Sequence, residues 1–132
     1  MGLSKELQLG KAAEHLVCYN LILKGYNAFL ADQGLPFDIL IEKNGELKKI
    51  QVRSTRQKNT YGKSKDIYRF GTRRGKGTTT RVREAEVDYY AFVAVDIMRI
   101  AYIPISEMIA RTGKVKQTID LREKHYDKYK EI

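Results

Sequence analysis

Cysteine and histidine are almost missing from this 132-residue chain: Cys18 stands alone, and His15 and His125 are the only histidines. One thiol and two imidazoles cannot build a disulfide framework, a zinc finger or a Cys/His catalytic pair within one chain. Long apolar runs are missing too. No charged n-region followed by an apolar h-region opens the sequence, and no stretch approaches the ~18 apolar residues of a membrane helix. The expectation is therefore a cytoplasmic protein, not secreted and with no membrane or small-molecule cofactor. The length suits one domain, 1–132, and the 42% hydrophobic content is enough for a real core.

Acidic residues are scarce where basic ones gather. Lys plus Arg number 25 against 16 Asp plus Glu, a formal charge of +9. From Arg53 to Arg83 the imbalance is extreme: Arg53, Arg56, Lys58, Lys63, Lys65, Arg69, Arg73, Arg74, Lys76, Arg81 and Arg83 face one acid, Asp66. Such a field attracts a polyanion, and phosphate contacts release condensed counterions. Residues 56–83 thus read as a basic, partly mobile DNA-contacting insertion. Its cations would hold phosphates, arginines such as Arg73, Arg74 or Arg81 would read guanine edges, and Tyr61, Tyr68 and Thr78 to Thr80 would add hydroxyl donors.

Along the chain, Ser4 can cap a helix running to about Lys24, with Leu9, Ala13, Leu16, Val17 and Leu23 at helical spacing and Gly25 as its stop. Strands are predicted at Tyr26 to Ala31 and Phe37 to Glu42, then across an Asn44-Gly45 turn at Leu47 to Ser54. A short strand at Ile67 to Phe70 lies within the basic stretch. The apolar run Tyr89 to Val95 has the pattern of a strand covered on both faces, with Ile100 to Ile103 as its neighbour. A short helix from Pro104 to about Arg111 and a charged helix from Leu121 to Lys130 complete the prediction. Tyr89, Tyr90 and Phe92 belong to the core on this pattern.

Three places in the early αβββ unit combine. Gly10 and Glu14 share a helix face, Asp38 follows Pro36 and Phe37, and Gln51 and Arg53 alternate with Ile50 and Val52, so period 2 sets the two pairs on opposite sides of the sheet. If the hairpin brings Asp38 beside Gln51, a carboxylate, an amide oxygen and the Val52 carbonyl gather at one sheet edge, a set of hard oxygens that suits Mg²⁺. Arg53 would neutralise charge developing on a phosphoryl group. Taken singly, Glu14 is an ordinary solvated charge, Asp38 a turn residue, and Gln51 and Arg53 the wet face of a hairpin.

The run Gly10-x-x-x-Glu14, Pro36-Phe37-Asp38 and Gln51-Val52-Arg53-Ser54-Thr55 resembles the PD-(D/E)XK nuclease superfamily. It is most similar to the branch with glutamine in the third motif, which includes small intron-encoded homing endonucleases and archaeal relatives. The likeness runs from about Gly10 to Pro104, since Val87-Asp88-Tyr89-Tyr90 and Ala101-Tyr102-Ile103-Pro104 resemble the family's later strands. It implies an α/β fold with a restriction-endonuclease-like αβββ(α)β core, a mixed central sheet flanked by helices. It also implies a metal-dependent DNA endonuclease using Mg²⁺ or Mn²⁺, with Glu14, Asp38 and Gln51 as metal ligands. Arg53 would stand where the lysine normally is, and Gly10 and Lys11 would lie against DNA with the basic stretch.

Guanidinium stays protonated, so charge stabilisation survives that exchange and a general-base role does not. Three readings remain open: a slow enzyme, one whose water is activated by the metal alone, or a nuclease-inactive DNA- or RNA-binding module. A Holliday-junction resolvase is the enzymatic alternative to a site-specific endonuclease. Its substrate would be branched instead of double-stranded linear DNA, and either enzyme would act as a homo-oligomer, a dimer or a tetramer.

Overall fold

The computed structural model describes residues 4–32, 34–59, 62, 65–72 and 87–132. Ser4 caps α1 (Lys5–Leu23), its hydroxyl accepting from the Leu7 N–H at 3.2 Å, and Glu6 complements the positive end of the helix. The helix ends at Gly25, whose φ of 95° is open to a residue without a Cβ. Of the apolar positions predicted on this helix, Ala13 and Val17 are buried, joined by Leu21; Leu23 is 70% exposed, one position off the buried line.

Strands β1 (Asn27–Leu30), β2 (Ile39–Lys43) and β3 (Glu46–Thr55) form an antiparallel meander. Asn44 and Gly45 both take positive φ, 55° and 85°, as a two-residue hairpin turn with the twist of its strands requires. The Glu42 carboxylate fixes that turn by accepting the Gly45 N–H at 2.8 Å. After β4 (Tyr68–Gly71), strand β5 (Tyr89–Ala94) lies parallel to β3, and β6 (Arg99–Pro104) returns antiparallel to it. The five-stranded order is β1-β2-β3-β5-β6, a mixed central sheet flanked by helices.

Each face of the sheet has its own core. Ala13, Val17 and Leu21 of α1 cover Ile39, Ile41, Ile50, Val52, Ala91, Val93 and Tyr102. The opposite face carries Tyr90, Phe92, Ala101 and Ile103, covered by Tyr68, Phe70, Leu121 and Tyr126. Phe92 meets Phe70 at 4.9 Å and stacks on Tyr90 at 5.3 Å between centroids. Strand β5 is therefore buried on both sides, which is why its sequence does not alternate.

The chain's last third departs from the sequence reading. Pro104 leads into a single 3₁₀ turn, Ile105–Met108, because Ile109 next pairs with Val115 and draws the backbone into an extended bridge. Leu121 is not helical: it ends β7 (Thr118–Leu121), which pairs antiparallel with β4, and α2 spans only Glu123–Lys128. Partner strands nearly fifty residues apart leave no local signal of their pairing. No helix among the described residues is long and apolar enough to cross a membrane.

Candidate active site

The register of β2 on β3 builds the site. Ile39 faces Ile50, so Asp38, just before β2, lies level with Gln51. Three bonds fix Asp38: its N–H donates to Ile50 O at 2.9 Å, its carbonyl accepts the Ala31 N–H at 2.8 Å, and Oδ2 accepts the Val52 N–H at 2.8 Å. Burial pushes the Asp38 carboxyl above the usual carboxylate range, and the Val52 N–H and the Arg53 charge only partly offset it.

Glu14, half-buried on α1, is raised likewise, first by burial and then by the Asp38 charge, with Lys11 and Arg53 pulling it back down. A carboxylate whose proton affinity the other raises, with one guanidinium in reach of both, places Glu14 and Asp38 in one neighbourhood. Arg53 Nη1 donates to Val52 O at 3.0 Å, which draws the guanidinium back over the same strand segment. The Val52 carbonyl named in the sequence reading thus already has a donor, with one lone pair left for a second partner.

Gln51 is 4% exposed, and among the described residues its buried Oε1 has no hydrogen-bond partner. It is not the wet face of a hairpin. A buried amide oxygen without a donor costs about 1–3 kcal/mol, and a cation can take the donor's place. Together the residues offer two carboxylates and neutral oxygens but no group of three or more His, Cys, Asp or Glu among the described residues. Such hard, doubly anionic donors fit a Mg²⁺- or Mn²⁺-type ion that keeps several waters, and do not fit zinc.

The proposed DNA-contacting residues divide. Lys58 pairs with Glu123 at 2.8 Å, and Arg69 forms a forked pair with Asp120 at 2.8 and 3.1 Å. Sequence reasoning missed both carboxylates, which lie 65 and 51 residues from their partners. Arg56 and Lys65 are exposed; Lys63, Arg73, Arg74, Lys76, Arg81 and Arg83 fall outside the described residues. Gly10 sits inside α1 one turn before Glu14, with no described atom within 4 Å of where a Cβ would stand. Also missed was Asp88, which clamps β5 to β3 by exchanging two 2.8 Å bonds with the Lys49 backbone and so sets the level of Tyr90 against Gln51.

The raised carboxyls of Glu14 and Asp38 give the metal-free site its own pH dependence. The fold binds these two protons more tightly than the unfolded chain, so their contribution to stability is fullest below the ordinary carboxylate range, opposite in sign to that of the lowered Glu42, Asp120 and Asp127 carboxyls. It is lost as pH rises from that range through the raised values. Glu14→Gln should remove part of this loss, raising Tm at neutral pH by ~1–2 °C, the size of a partly exposed charge effect. Thermal melts across pH 4 to 8 check this. An unchanged or lower Tm at neutral pH would mean that Glu14 gains more from Lys11 and Arg53 than it loses beside Asp38.

A family model described as PD-(D/E)XK endonuclease matches residues 5–132. Among solved structures, the chain is similar to the bacterial homing endonuclease I-Ssp6803I, with 19% identity over 93% of this chain and 78% of that one and a TM-score of 0.68. It is also similar to Hjc, a Holliday junction resolvase of the archaeal hyperthermophile Archaeoglobus fulgidus, with 17% identity over 93% of this chain and 91% of that one and a TM-score of 0.54. At such identities the structural likeness shows the fold. No curated protein sequence matches significantly.

Proposed function

This chain belongs to the PD-(D/E)XK endonuclease family, and from that premise we propose that its site hydrolyses DNA phosphodiesters with the help of one divalent cation, Mg²⁺ or Mn²⁺. The observation that carries the reading is the buried Gln51 Oε1, without a hydrogen-bond partner among the described residues and level with Asp38, beside a carboxylate pair whose charges oppose each other. Glu14, Asp38 and Gln51 would hold the ion, with the free lone pair of the Val52 carbonyl as a further donor. When bound, such an ion polarises a phosphoryl oxygen and lowers the pKa of a water.

The remaining work belongs to the chain. The Val52 N–H and the Ile50 carbonyl lock Asp38 in place, so the carboxylate need not reorganise when substrate arrives. Arg53 stays protonated and so takes no proton from water; its fork meets the charge developing on phosphate. Lys11, Arg56, Lys65 and the basic stretch supply backbone contacts whose strength falls with salt. One site cuts one strand, so a double-strand cut or junction resolution needs at least two copies, a dimer or a tetramer.

Supercoiled plasmid with Mg²⁺ or Mn²⁺ tests this function. Nicking that a chelator abolishes and that weakens with added salt is the expected result. Salt-sensitive binding with no nicking under either ion would leave a binding module and remove the hydrolytic proposal. Independently of activity, Mg²⁺ at about 100 times its Kd should stabilise the fold by ~2.7 kcal/mol. Glu14→Gln should lose most of that gain in the same melts.

A further inference from the structure

The sheet has two end strands: β6, where the Tyr102 N–H donates to the Tyr129 carbonyl at 2.8 Å, and β1. Among the described residues, strand β1 pairs only with β2, and three of its four residues are exposed. None of Asn27, Ala28, Phe29 and Leu30 is charged, and no lysine, proline or bulge guards the strand, as natural proteins usually arrange at a free edge. Phe29 is 56% exposed and Leu30 44%.

The patch continues across the sheet. Phe29, Leu40 and Lys49 form one cross-strand row; Asn27, Glu42 and Leu47 form the next, with Leu47 62% exposed. The second core lies under β5 and β6 and stops short of this region. Glu42 and Lys49 cancel within it, so a chain of formal charge +9 presents here an apolar, nearly neutral sector. Lys43 and Lys48 stand near β1 as well, but Glu42 and Glu46 offset two of the three lysines on β2 and β3, so a second, equally basic copy meets little repulsion there.

We propose that β1 is the seam of a homodimer in which the β1 strands of two copies pair antiparallel about a twofold axis at Phe29, continuing the sheet. A twofold normal to the sheet keeps like faces together, so Phe29 meets the other copy's Phe29 and Leu30 meets its Ala28. Two aromatic rings then cover each other at the axis. The arrangement also places the sites, because the Ala31 N–H, one residue beyond β1, already holds the Asp38 carbonyl. Strand spacing and rise set the two Asp38 residues on the order of 20 Å apart, less than one duplex turn of ~34 Å. The twofold keeps both Gln51–Arg53 pairs on the same side of the joined sheet. One dimer can thus reach both strands of one duplex, a use that rests on the nuclease reading although the pairing itself does not.

The full chain should run in sedimentation equilibrium at twice its 15.3 kDa mass, and Phe29→Lys should run at the single mass and melt cooperatively with a Tm that no longer depends on protein concentration. In a Cys18→Ala background, Phe29→Cys should oxidise to a covalent dimer. Leu30→Cys should not, since its symmetry mate lies two positions out of register at ~8 Å, beyond the ~7 Å reach of a disulfide. A monomeric wild-type chain, a dimeric Phe29→Lys, or equal cross-linking at both positions would overturn the seam. Plasmid assays separate the two proposals: Phe29→Lys should still nick but no longer linearise. Nicking by a protein that proves monomeric removes only the dimer; a cross-linked dimer that never nicks removes only the nuclease reading.

Discussion

Asp38→Asn should lower the rate of metal-dependent plasmid nicking by at least ~10²–10³-fold, the loss found when one preorganised electrostatic group leaves an active site. Asparagine is the informative change. Its amide oxygen can still accept the Val52 N–H that Asp38 Oδ2 accepts at 2.8 Å, so the join between β2 and β3 survives. Alanine would strand that N–H at a further ~1–3 kcal/mol and mix a folding defect into the kinetics. Single-turnover cleavage with thermal melts separates the effects. A variant that folds like the wild type and cuts within threefold of its rate would show that Asp38 is a strand lock and nothing more.

Arg53→Ala should cost ~10²–10³-fold in cleavage, and Arg53→Lys ~10-fold, by loss of one preorganised cation or of its fork alone. The fork is already in use. Nη1 holds the Val52 carbonyl at 3.0 Å while the charge reaches both Glu14 and Asp38. An ammonium on a flexible stem replaces the charge but not the planar geometry. Cleavage at saturating Mn²⁺ measures both variants. A large increase with lysine would identify arginine as a defect, because only lysine can also take a proton from water.

Where the code is local, the sequence disclosed the structure well. The helix from Ser4, the Asn44-Gly45 hairpin and the doubly buried Tyr89 to Ala94 strand each follow from caps, turn chemistry or apolar periodicity. The pairing of β4 with β7 joins Arg69 to Asp120 across the intervening strands, and nothing in either segment names the other. The site was half legible. Spacing and resemblance named Glu14, Asp38, Gln51 and Arg53, and period 2 put Gln51 opposite Ile50. Burial was not legible: a polar residue in an alternating strand looks solvated until Tyr90, level with it on β5, closes over the neighbouring row. Lys58 and Arg69, counted with the free cations of the basic stretch, prove already committed to carboxylates.

Mn²⁺ scatters anomalously and takes the same oxygen ligands as Mg²⁺, so a Mn²⁺-soaked crystal tests the central claim most directly. One anomalous peak within ~2.5 Å of oxygens from Glu14, Asp38 and Gln51 is the predicted result. A peak elsewhere, or none at saturating Mn²⁺ with Gln51 Oε1 still without a partner, would contradict it.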